Sequence, residues 1–280
     1  MLKLSREIEW KSGETSCARG FARMRELGYE ACDYQVLCCE PARGVYALKD
    51  SEFERLMRED AQAAKENGIF VGQTHGVWPY DDRIPEQAEP KFEATVKGLA
   101  ASAILGAPYM VIHPVMPFFW DVSPHHEEDK EKNIEFIRRV LPYARKYNVK
   151  LALENMPCVH VPCGHVSELK ECIDLIHDEY LVACLDTGHC MAMGDDAGDM
   201  ARLLGDRLKV LHVHDNRVGT DAHLIPYFGH INWNNFRAAL MEIGYEGTLS
   251  METDAPANMP EPFRTEVEEL AVRLLAQLNY

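Results

Sequence analysis

The chain has 280 residues, of which 29 are Lys or Arg and 45 are Asp or Glu, so its formal net charge is −16. Because 46% of the residues are hydrophobic, the chain can bury a large core, which excludes a disordered protein and a small disulfide-stapled one. The acidic charge disfavours nucleic acid and anionic membranes as partners, since both are bound through basic surfaces.

The cysteine content and the first residues of the chain predict its compartment. Nine cysteines, an odd number, indicate reduced thiols in a chain of this length. The stretch from Met1 to Glu7 lacks the apolar segment of a secretory signal. The longest apolar run is shorter than the roughly 18 residues that a membrane span needs. We therefore expect a cytoplasmic protein without a membrane partner.

Short strand-like segments alternate with longer helical segments along the chain. The predicted strands are Leu2–Ile8, Ala31–Leu37, Ile69–His75, Tyr109–His113, Lys150–Glu154, Leu181–Asp186, Leu208–Asp215 and Gly247–Glu252. The predicted helices are Cys17–Leu27, Phe53–Asn67, Glu86–Leu105, Asp129–Tyr147, Val166–Ile176, Asp199–Leu204, Trp233–Ile243 and Pro262–Gln277. Gly28, Gly68 and Gly106 follow three of these helices, where glycine commonly ends a helix.

This alternation predicts a parallel sheet whose strands are connected by helices. Eight strand–helix units of about 35 residues each match a closed (β/α)8 barrel, the TIM barrel. A doubly wound open sheet is the competing fold, but its nucleotide-binding form needs a glycine-rich fingerprint after the first strand, which is missing. No linker or change of composition divides the chain, so we predict one barrel domain over residues 1–280.

Residues of metal-ligand type stand at the carboxyl ends of the last six predicted strands. They are His75, His113, Glu154, Asp186, His212 and Glu252. Such charges are costly to bury at one face of a barrel unless they are paired or bound to a cation. Side chains two positions apart on a strand share a face, so the residues of strands five to eight can converge. We predict that one divalent cation is bound by Glu154, Asp186, His212 and Glu252.

This set of one imidazole and three carboxylates suits Mn, Zn, Co or Mg and does not select among them. Taken singly, each of the four residues has an alternative role as a hydrogen-bonded structural residue. The metal interpretation rests on their occurrence together on neighbouring strands.

Several motifs in residues 74–252 resemble one known superfamily. They are Thr74-His75-Gly76, Ile112-His113-Pro114, Leu153-Glu154-Asn155, Leu185-Asp186-Thr187-Gly188-His189, His212-Val213-His214-Asp215-Asn216, Asp221-Ala222-His223, Gly229-His230-Ile231-Asn232-Trp233 and Glu252. In this order they resemble the xylose-isomerase-like barrels. That superfamily includes sugar isomerases and epimerases, inositol-pathway enzymes and the endonuclease IV group of apurinic-site nucleases.

The resemblance implies two different metal sites. In the ketose epimerases one metal is held by residues that match Glu154, Asp186, His212 and Glu252. In the apurinic nucleases a three-zinc cluster also uses residues that match His75, His113, His189, Asp221 and His223. The net charge of −16 favours a sugar over DNA. Xylose isomerase itself fits poorly, because Met156 stands where its family places a lysine.

We therefore predict a metal-dependent sugar isomerase or epimerase. It would move a proton at a carbon next to a carbonyl through a metal-stabilised enediolate, with Glu154 and Glu252 removing and returning the proton. His189 and Arg217 are predicted to contact the substrate, although Arg217 can equally be a solvated loop residue. The alternatives are a multi-zinc hydrolase that cleaves a phosphoester and a metal-loaded sugar-binding barrel without turnover. Barrels of this superfamily often pair, so a homo-oligomer is expected.

Aromatic residues follow three of the predicted strands, in connections that build the active face of a barrel. They are Trp78-Pro79-Tyr80, Phe118-Phe119-Trp120 and Tyr227-Phe228-Gly229. One interpretation is simple packing over the barrel mouth. The other is a water-excluding wall around a sugar ring, with Trp78 and Trp120 in contact with the substrate.

A second group of ligand-type residues, Cys158, His160, Cys163 and His165, follows the fifth strand. Its spacing matches no familiar structural zinc site, so we interpret these residues as part of a loop. The adjacent pair Cys38-Cys39 is interpreted in the same way.

Overall fold

The computed structural model describes residues 1–11, 14–78, 88–115, 125–158, 160–253, 255–256 and 258–280. Its strands are β1 (Leu4–Ile8), β2 (Ala31–Tyr34), β3 (Phe70–His75), β4 (Tyr109–Ile112), β5 (Lys150–Glu154), β6 (Leu181–Asp186), β7 (Leu208–His212) and β8 (Leu249–Met251). Its α-helices are α1 (Ala18–Leu27), α2 (Asp50–Glu66), α3 (Ala88–Leu105), α4 (His126–Tyr147), α5 (Val166–Ile176), α6 (Thr187–Met193), α7 (Ala197–Leu204), α8 (Trp233–Glu242) and α9 (Phe263–Ala276).

The eight strands form one parallel sheet in the order β7-β6-β5-β4-β3-β2-β1-β8. A bridge between Val213 and Met251 joins the two ends of this order and closes the sheet. The Val213 amide donates to the Ser250 carbonyl oxygen at 2.7 Å, and the Glu252 amide donates to the Val213 carbonyl oxygen at 3.1 Å. The predicted single-domain (β/α)8 barrel is confirmed, and the open-sheet alternative is wrong.

Apolar side chains pack on both sides of the strands. A large cluster lies between the sheet and the surrounding helices and includes Phe21, Leu153 and Phe236. A separate small cluster joins Val111, Ala152, Val182, Cys184 and Val210 from four neighbouring strands. Because side chains alternate along a strand, residues two positions beyond this second cluster point the same way, toward the barrel mouth.

Most elements differ from the sequence prediction by one to three residues at an end; the predicted seventh strand Leu208–Asp215, for example, ends at His212. Other differences concern the kind of element. The predicted strand Ala31–Leu37 ends at Tyr34, and Gln35–Leu37 form a 3-10 turn. The short helix α6 was not predicted. It begins directly after β6, because the Asp186 carboxylate accepts a hydrogen bond from the His189 amide and caps the first turn.

The prediction of nine reduced thiols is wrong for one pair. Cys163 and Cys172 form a disulfide, while the other seven cysteines are free. The loop before α5 folds back onto that helix and brings the two Cα atoms to 6.4 Å. Cys163 is therefore not a metal ligand, and His165 acts as the N-cap of α5. Within the described residues, no helix is both long and apolar enough to cross a membrane.

Candidate metal centre

The four residues predicted to bind one cation meet at the barrel mouth. Glu154, Asp186, His212 and Glu252 each offer one ligand atom, and these atoms lie within 4.8 Å of one another. We call this group the central cluster. His212 Nδ1 lies 2.9 Å from Glu154 Oε1 and 3.2 Å from Glu252 Oε2. The first three residues are fully buried, whereas the Glu252 side chain is 17% exposed.

The second oxygen of Glu154 faces two further histidines. Oε2 lies 2.9 Å from His113 Nε2 and 3.6 Å from His75 Nε2. The two histidine Nε2 atoms are 3.1 Å apart. His75, His113 and Glu154 satisfy the same distance criterion as a ligand group, and we call them the second cluster. The Glu154 carboxylate is thus shared between two neighbouring candidate positions.

A third cluster lies beside the central one and contains His189, His214, Asp221 and His223. Asp221 Oδ2 lies 3.7 Å from His189 Nε2, and Asp221 Oδ1 lies 3.4 Å from His223 Nε2. His214 is the member that was not among the predicted ligands. The structure therefore brings all nine predicted ligand-type residues into three adjoining groups.

The charges of these clusters shift the proton affinities of their members. Burial is the main cause that raises the pKa of Glu252 to about 8; the nearby carboxylates of Glu154 and Asp186 also raise it, and the His212 imidazole opposes them. Burial alone would lower the pKa of His189, but Asp186 and Asp221 outweigh it and raise the pKa to about 9.

The pKa of Glu154 changes in the opposite direction. Burial would raise it, but the imidazoles of His212 and His113 hold it well below its usual value. Burial dominates at His113 and lowers the pKa of that imidazole to about 4.

The buried donors fit a divalent cation. Among the described residues, Glu154 Oε2 and His113 Nδ1 are buried without a partner of hydrogen-bond geometry, and each belongs to a residue of the second cluster. Three carboxylates in the central cluster share one imidazole, and the pKa of Glu252 is raised mainly by burial and, to a smaller extent, by the other two carboxylates. A cation at the mouth would compensate this excess of negative charge. Mixed nitrogen and oxygen donors suit Mn, Zn, Co or Mg.

Residues that the sequence analysis missed hold the ligands in place. Asp33, at the end of β2, accepts from His212 Nε2 at 2.9 Å and from Gln73 Nε2 at 2.9 Å. The Asn155 side chain accepts from the Asp186 amide at 2.7 Å, and its carbonyl oxygen lies 2.7 Å from His189 Nδ1. These contacts fix the ring orientation of two histidines.

The thiol of Cys38 is a further neighbour of the site. Burial would lower the pKa of His75, but Cys38 and Glu154 raise it well above the usual value. Cys38 and Cys39 are partly buried loop residues, as predicted.

Comparisons with known proteins establish the family. Residues 21–273 match the family model described as the xylose isomerase-like TIM barrel. The chain belongs to this family. A probable endonuclease 4 from Bacillus licheniformis is 30% identical over 235 residues, which cover 74% of this chain and 75% of that protein. A D-psicose 3-epimerase from Enterocloster bolteae is 23% identical over 239 residues, covering 82% of this chain and 74% of that protein.

An uncharacterized protein from Methanocaldococcus jannaschii is another relative of this xylose isomerase-like barrel. It is 30% identical over 183 residues, and the match spans 62% of each protein, less than two thirds of that relative.

Solved sugar epimerases share the fold over nearly the whole chain. The 3-keto-D-glucoside 4-epimerase from E. coli has a TM-score of 0.78 at 15% identity and covers 99% of this chain and 100% of its own. A D-psicose 3-epimerase from Clostridium cellulolyticum, solved with D-tagatose, has a TM-score of 0.78 at 16% identity with 99% of both chains covered. The resemblance inferred from the strand-end motifs is confirmed, and its members include both epimerases and endonuclease 4.

The residues predicted to contact the substrate differ in their burial in this xylose isomerase-like barrel. His189 is buried in the third cluster, and the Trp78 ring lies edge-on to the His113 ring at a centroid distance of 4.4 Å. Arg217 is exposed in the connection after β7. Trp120 lies outside the described residues, as do Tyr80, Phe118 and Phe119. Tyr227 and Phe228 are exposed.

Proposed function

We propose that the protein is a divalent-metal-dependent sugar isomerase or epimerase that moves a proton at a carbon next to a carbonyl. The observation that carries this proposal is the position of two carboxylates at one centre: Glu154 and Glu252 both lie within 3.2 Å of His212 Nδ1. Two carboxylates at one centre allow one to remove a proton and the other to return it. The solved sugar epimerases of the same fold support a carbohydrate substrate.

The central cluster would hold the cation through Glu154, Asp186, His212 and Glu252. When bound, a divalent cation would polarise substrate oxygens as a Lewis acid and so acidify the neighbouring C–H bond. Asp33 keeps the His212 ring in its orientation through its contact with Nε2. The Asn155 side chain holds the backbone at Asp186 in place, because it accepts a hydrogen bond from the Asp186 amide.

The proton transfers belong to the two carboxylates. Glu252 is the more accessible of the two, since its side chain is 17% exposed, and it would exchange the proton from the open side of the site. Glu154 is the buried partner. Return of the proton to the opposite face gives epimerisation, and return to the neighbouring carbon gives isomerisation. His189 and Arg217 are proposed to bind substrate oxygens, and Trp78, whose ring contacts that of His113, is proposed as an apolar wall.

A second candidate function is a multi-zinc hydrolase that cleaves a phosphoester. The specific observation in its favour is the Glu154 carboxylate, whose second oxygen faces His75 and His113 and could join two cations. The endonuclease 4 relatives support the same idea. The net charge of −16 is unfavourable for a DNA substrate, because phosphates must be neutralised by basic residues. The cytoplasmic location and the homo-oligomer stay predictions from the sequence.

Deuterium exchange tests the first function without knowledge of the sugar. The metal-loaded protein is incubated in D2O with a panel of ketoses and aldoses, and NMR follows deuterium at carbons next to the carbonyl. Glu252→Gln should lower the exchange rate by about 10²–10⁴-fold, as expected for loss of a general acid or base. The control Glu246→Gln alters an exposed glutamate after α8 and should leave the rate unchanged.

The second cluster separates the two candidate functions. The double variant His75→Asn/His113→Asn should still exchange sugar protons if the central cluster is sufficient. If the protein is instead a hydrolase, the wild type should cleave phosphoester or abasic-site substrates, and the double variant should lose that cleavage together with bound cations. If the wild type cleaves these substrates and exchanges no sugar proton, the isomerase proposal is wrong and the hydrolase is favoured.

A further inference from the structure

One disulfide stands apart from the other cysteines of the chain. Cys163 lies in the connection between β5 and α5, Cys172 lies in α5, and both side chains are fully buried. The other seven cysteines are free. One bond among so many thiols is not the disulfide framework of a small secreted domain. In the reducing compartment that the cysteine content predicts, an isolated disulfide usually has a catalytic or redox-sensing role.

The backbone at Cys163 has an unusual conformation. Its φ angle is 60°, in the left-handed region that residues with a Cβ atom rarely adopt. The bond to Cys172 restrains it there, together with a hydrogen bond of 2.8 Å from the Cys163 amide to Glu168 Oε2. Such a conformation persists only where the surrounding structure enforces it. Loss of the disulfide would therefore remove a covalent restraint on this residue.

A short path of backbone joins Cys163 to a candidate metal ligand. The Met156 amide donates to the carbonyl oxygen of Gly164 at 2.9 Å. Gly164 directly follows Cys163, and Met156 is two residues after Glu154. We call residues 155–158 and 160–165 the β5–α5 connection. Because this hydrogen bond joins its two ends, a movement at Cys163 would be passed on to Glu154.

Apolar side chains of the β5–α5 connection also lie beside the second cluster. Met156 and Val161 form a small buried group, and Trp78 and Cys158 pack against it. The Trp78 ring in turn lies edge-on to the His113 ring. The connection therefore supports the apolar side of the barrel mouth as well as Glu154.

We propose that the Cys163–Cys172 disulfide is a reversible redox switch. In the oxidised form it holds the β5–α5 connection against the barrel mouth, and its reduction releases the connection and weakens cation binding at Glu154. The reductant is a thiol. Its thiolate attacks one of the two sulfur atoms and forms a mixed disulfide, and a second thiol then releases the reductant as a disulfide.

The electrons and protons of this exchange balance. Two thiols of the reductant give up two electrons and two protons and become one disulfide, while Cys163 and Cys172 become two thiols. A disulfide of the same chemical class reverses the reaction.

Burial of the two sulfur atoms makes their reduction depend on the β5–α5 connection. Because both cysteine side chains are fully buried, the connection must open before a thiol can reach them. A cation bound by Glu154 would oppose this opening. Since such coupling is reciprocal, reduction must weaken cation binding by the same factor by which the cation disfavours reduction at equilibrium.

The competing explanation is that hydrogen bonds alone hold the connection. The contacts of Glu168 with the Cys163 amide and of Gly164 with the Met156 amide would then keep the backbone in place after reduction. The disulfide would be a passive cross-link. The two explanations differ in how freely the reduced connection moves.

Hydrogen–deuterium exchange, followed by mass spectrometry on the full chain, distinguishes them. The protein is oxidised with glutathione disulfide, and part of it is then reduced with dithiothreitol. Reduction should speed exchange in the peptide that covers Met156 and Gly164 by about tenfold and should leave β1 and β2 unchanged. Unchanged exchange in that peptide would overturn the proposal. Nine free thiols in the oxidised protein would overturn it as well.

Cysteine variants separate the disulfide from other effects of the reductant. Cys163→Ser/Cys172→Ser should exchange like the reduced wild type and should not respond to dithiothreitol. The control Cys158→Ser changes a free cysteine of the same connection, keeps the disulfide and should respond as the wild type does. A double variant that still responds to dithiothreitol would contradict the switch. Chemical reduction of the wild type gives the same comparison without relying on the folding of a variant.

Manganese provides the second readout, because Mn²⁺ prefers carboxylate ligands to thiols. The rate at which dithiothreitol releases the two thiols is measured with Mn²⁺ bound and after its removal. Bound Mn²⁺ should slow this release, and the reduced protein should bind Mn²⁺ more weakly by calorimetry. Equal rates and equal affinities would overturn the proposal. Neither measurement uses a sugar, so failure of the proposed isomerase activity would be recognised separately.

Discussion

Replacing Asp215 by alanine should destabilise the connection that carries Asp221 and His223. The Asp215 carboxylate is fully buried and accepts three hydrogen bonds. They come from the Asn216 amide at 2.8 Å, the Ile231 amide at 3.1 Å and Trp233 Nε1 at 2.9 Å. One side chain therefore joins both ends of the segment between β7 and α8.

The magnitude follows from these contacts. Each hydrogen bond to a charged acceptor contributes about 1.5–3 kcal/mol, and the alanine variant leaves three buried donors without an acceptor. Water entering from the exposed part of the connection would recover some of this loss, so we expect the free energy of unfolding to fall by about 3–5 kcal/mol. Asp215→Asn keeps one acceptor oxygen and should lose about half as much.

Urea denaturation followed by far-UV circular dichroism measures this loss, because it does not depend on the Trp233 fluorescence that the variant itself perturbs. Asp206→Ala, which changes an exposed aspartate, is the control and should stay within about 0.5 kcal/mol of the wild type. A loss below about 1 kcal/mol in Asp215→Ala would show that the three hydrogen bonds do not anchor the connection.

Three further outcomes are expected. Gly188→Ala places a Cβ atom 1.9 Å from His214 Cε1, so it should lower the free energy of unfolding by about 1–3 kcal/mol in the same urea assay. An unchanged free energy of unfolding would show that the two side chains do not clash. Because the pKa values of Glu252 and His189 are raised to about 8 and about 9, both groups hold protons at pH 7 that a cation must displace. Metal affinity should therefore rise from pH 6 to pH 9, and calorimetric heats that do not depend on the buffer would refute this. Removal of metal with EDTA should lower the melting temperature, because a cation that binds only the folded chain stabilises it. At a free cation concentration of a hundred times Kd, this stabilisation is about 2.7 kcal/mol. An identical melting curve with and without EDTA would exclude such a cation.

The sequence pattern predicts the elements best where both faces of a strand are buried. The observed β5, α5 and β6 have the predicted bounds. In β5 and β6 an apolar run ends at a carboxylate residue, which marks the end of the strand. The apolar pair Val36-Leu37 led to an overlong second strand, because a short apolar run does not distinguish a strand from a tight turn. Helix α6 was missed because Asp186 was considered only as a ligand and not as a cap.

The candidate site was predictable where its residues follow strand ends. Alternation along β7 places His212 and His214 on one side, yet only the first was predicted as a ligand. No local sequence pattern could predict the contact of Asp33 with His212, because the two residues are 179 positions apart and meet only in the folded barrel. The Cys163–Cys172 pairing likewise depends on how the loop folds back onto α5.

The closure of the barrel has a consequence for its dynamics. In the described part of the chain, β7 and β8 meet through the bridge between Val213 and Met251, next to His212 and Glu252. A cation bound by these two ligands would cross-link the ends of β7 and β8. Without the cation, the amide protons of Val213 and Glu252 should exchange with solvent sooner than those of β5 and β6. The barrel would then open locally between β7 and β8, at its mouth.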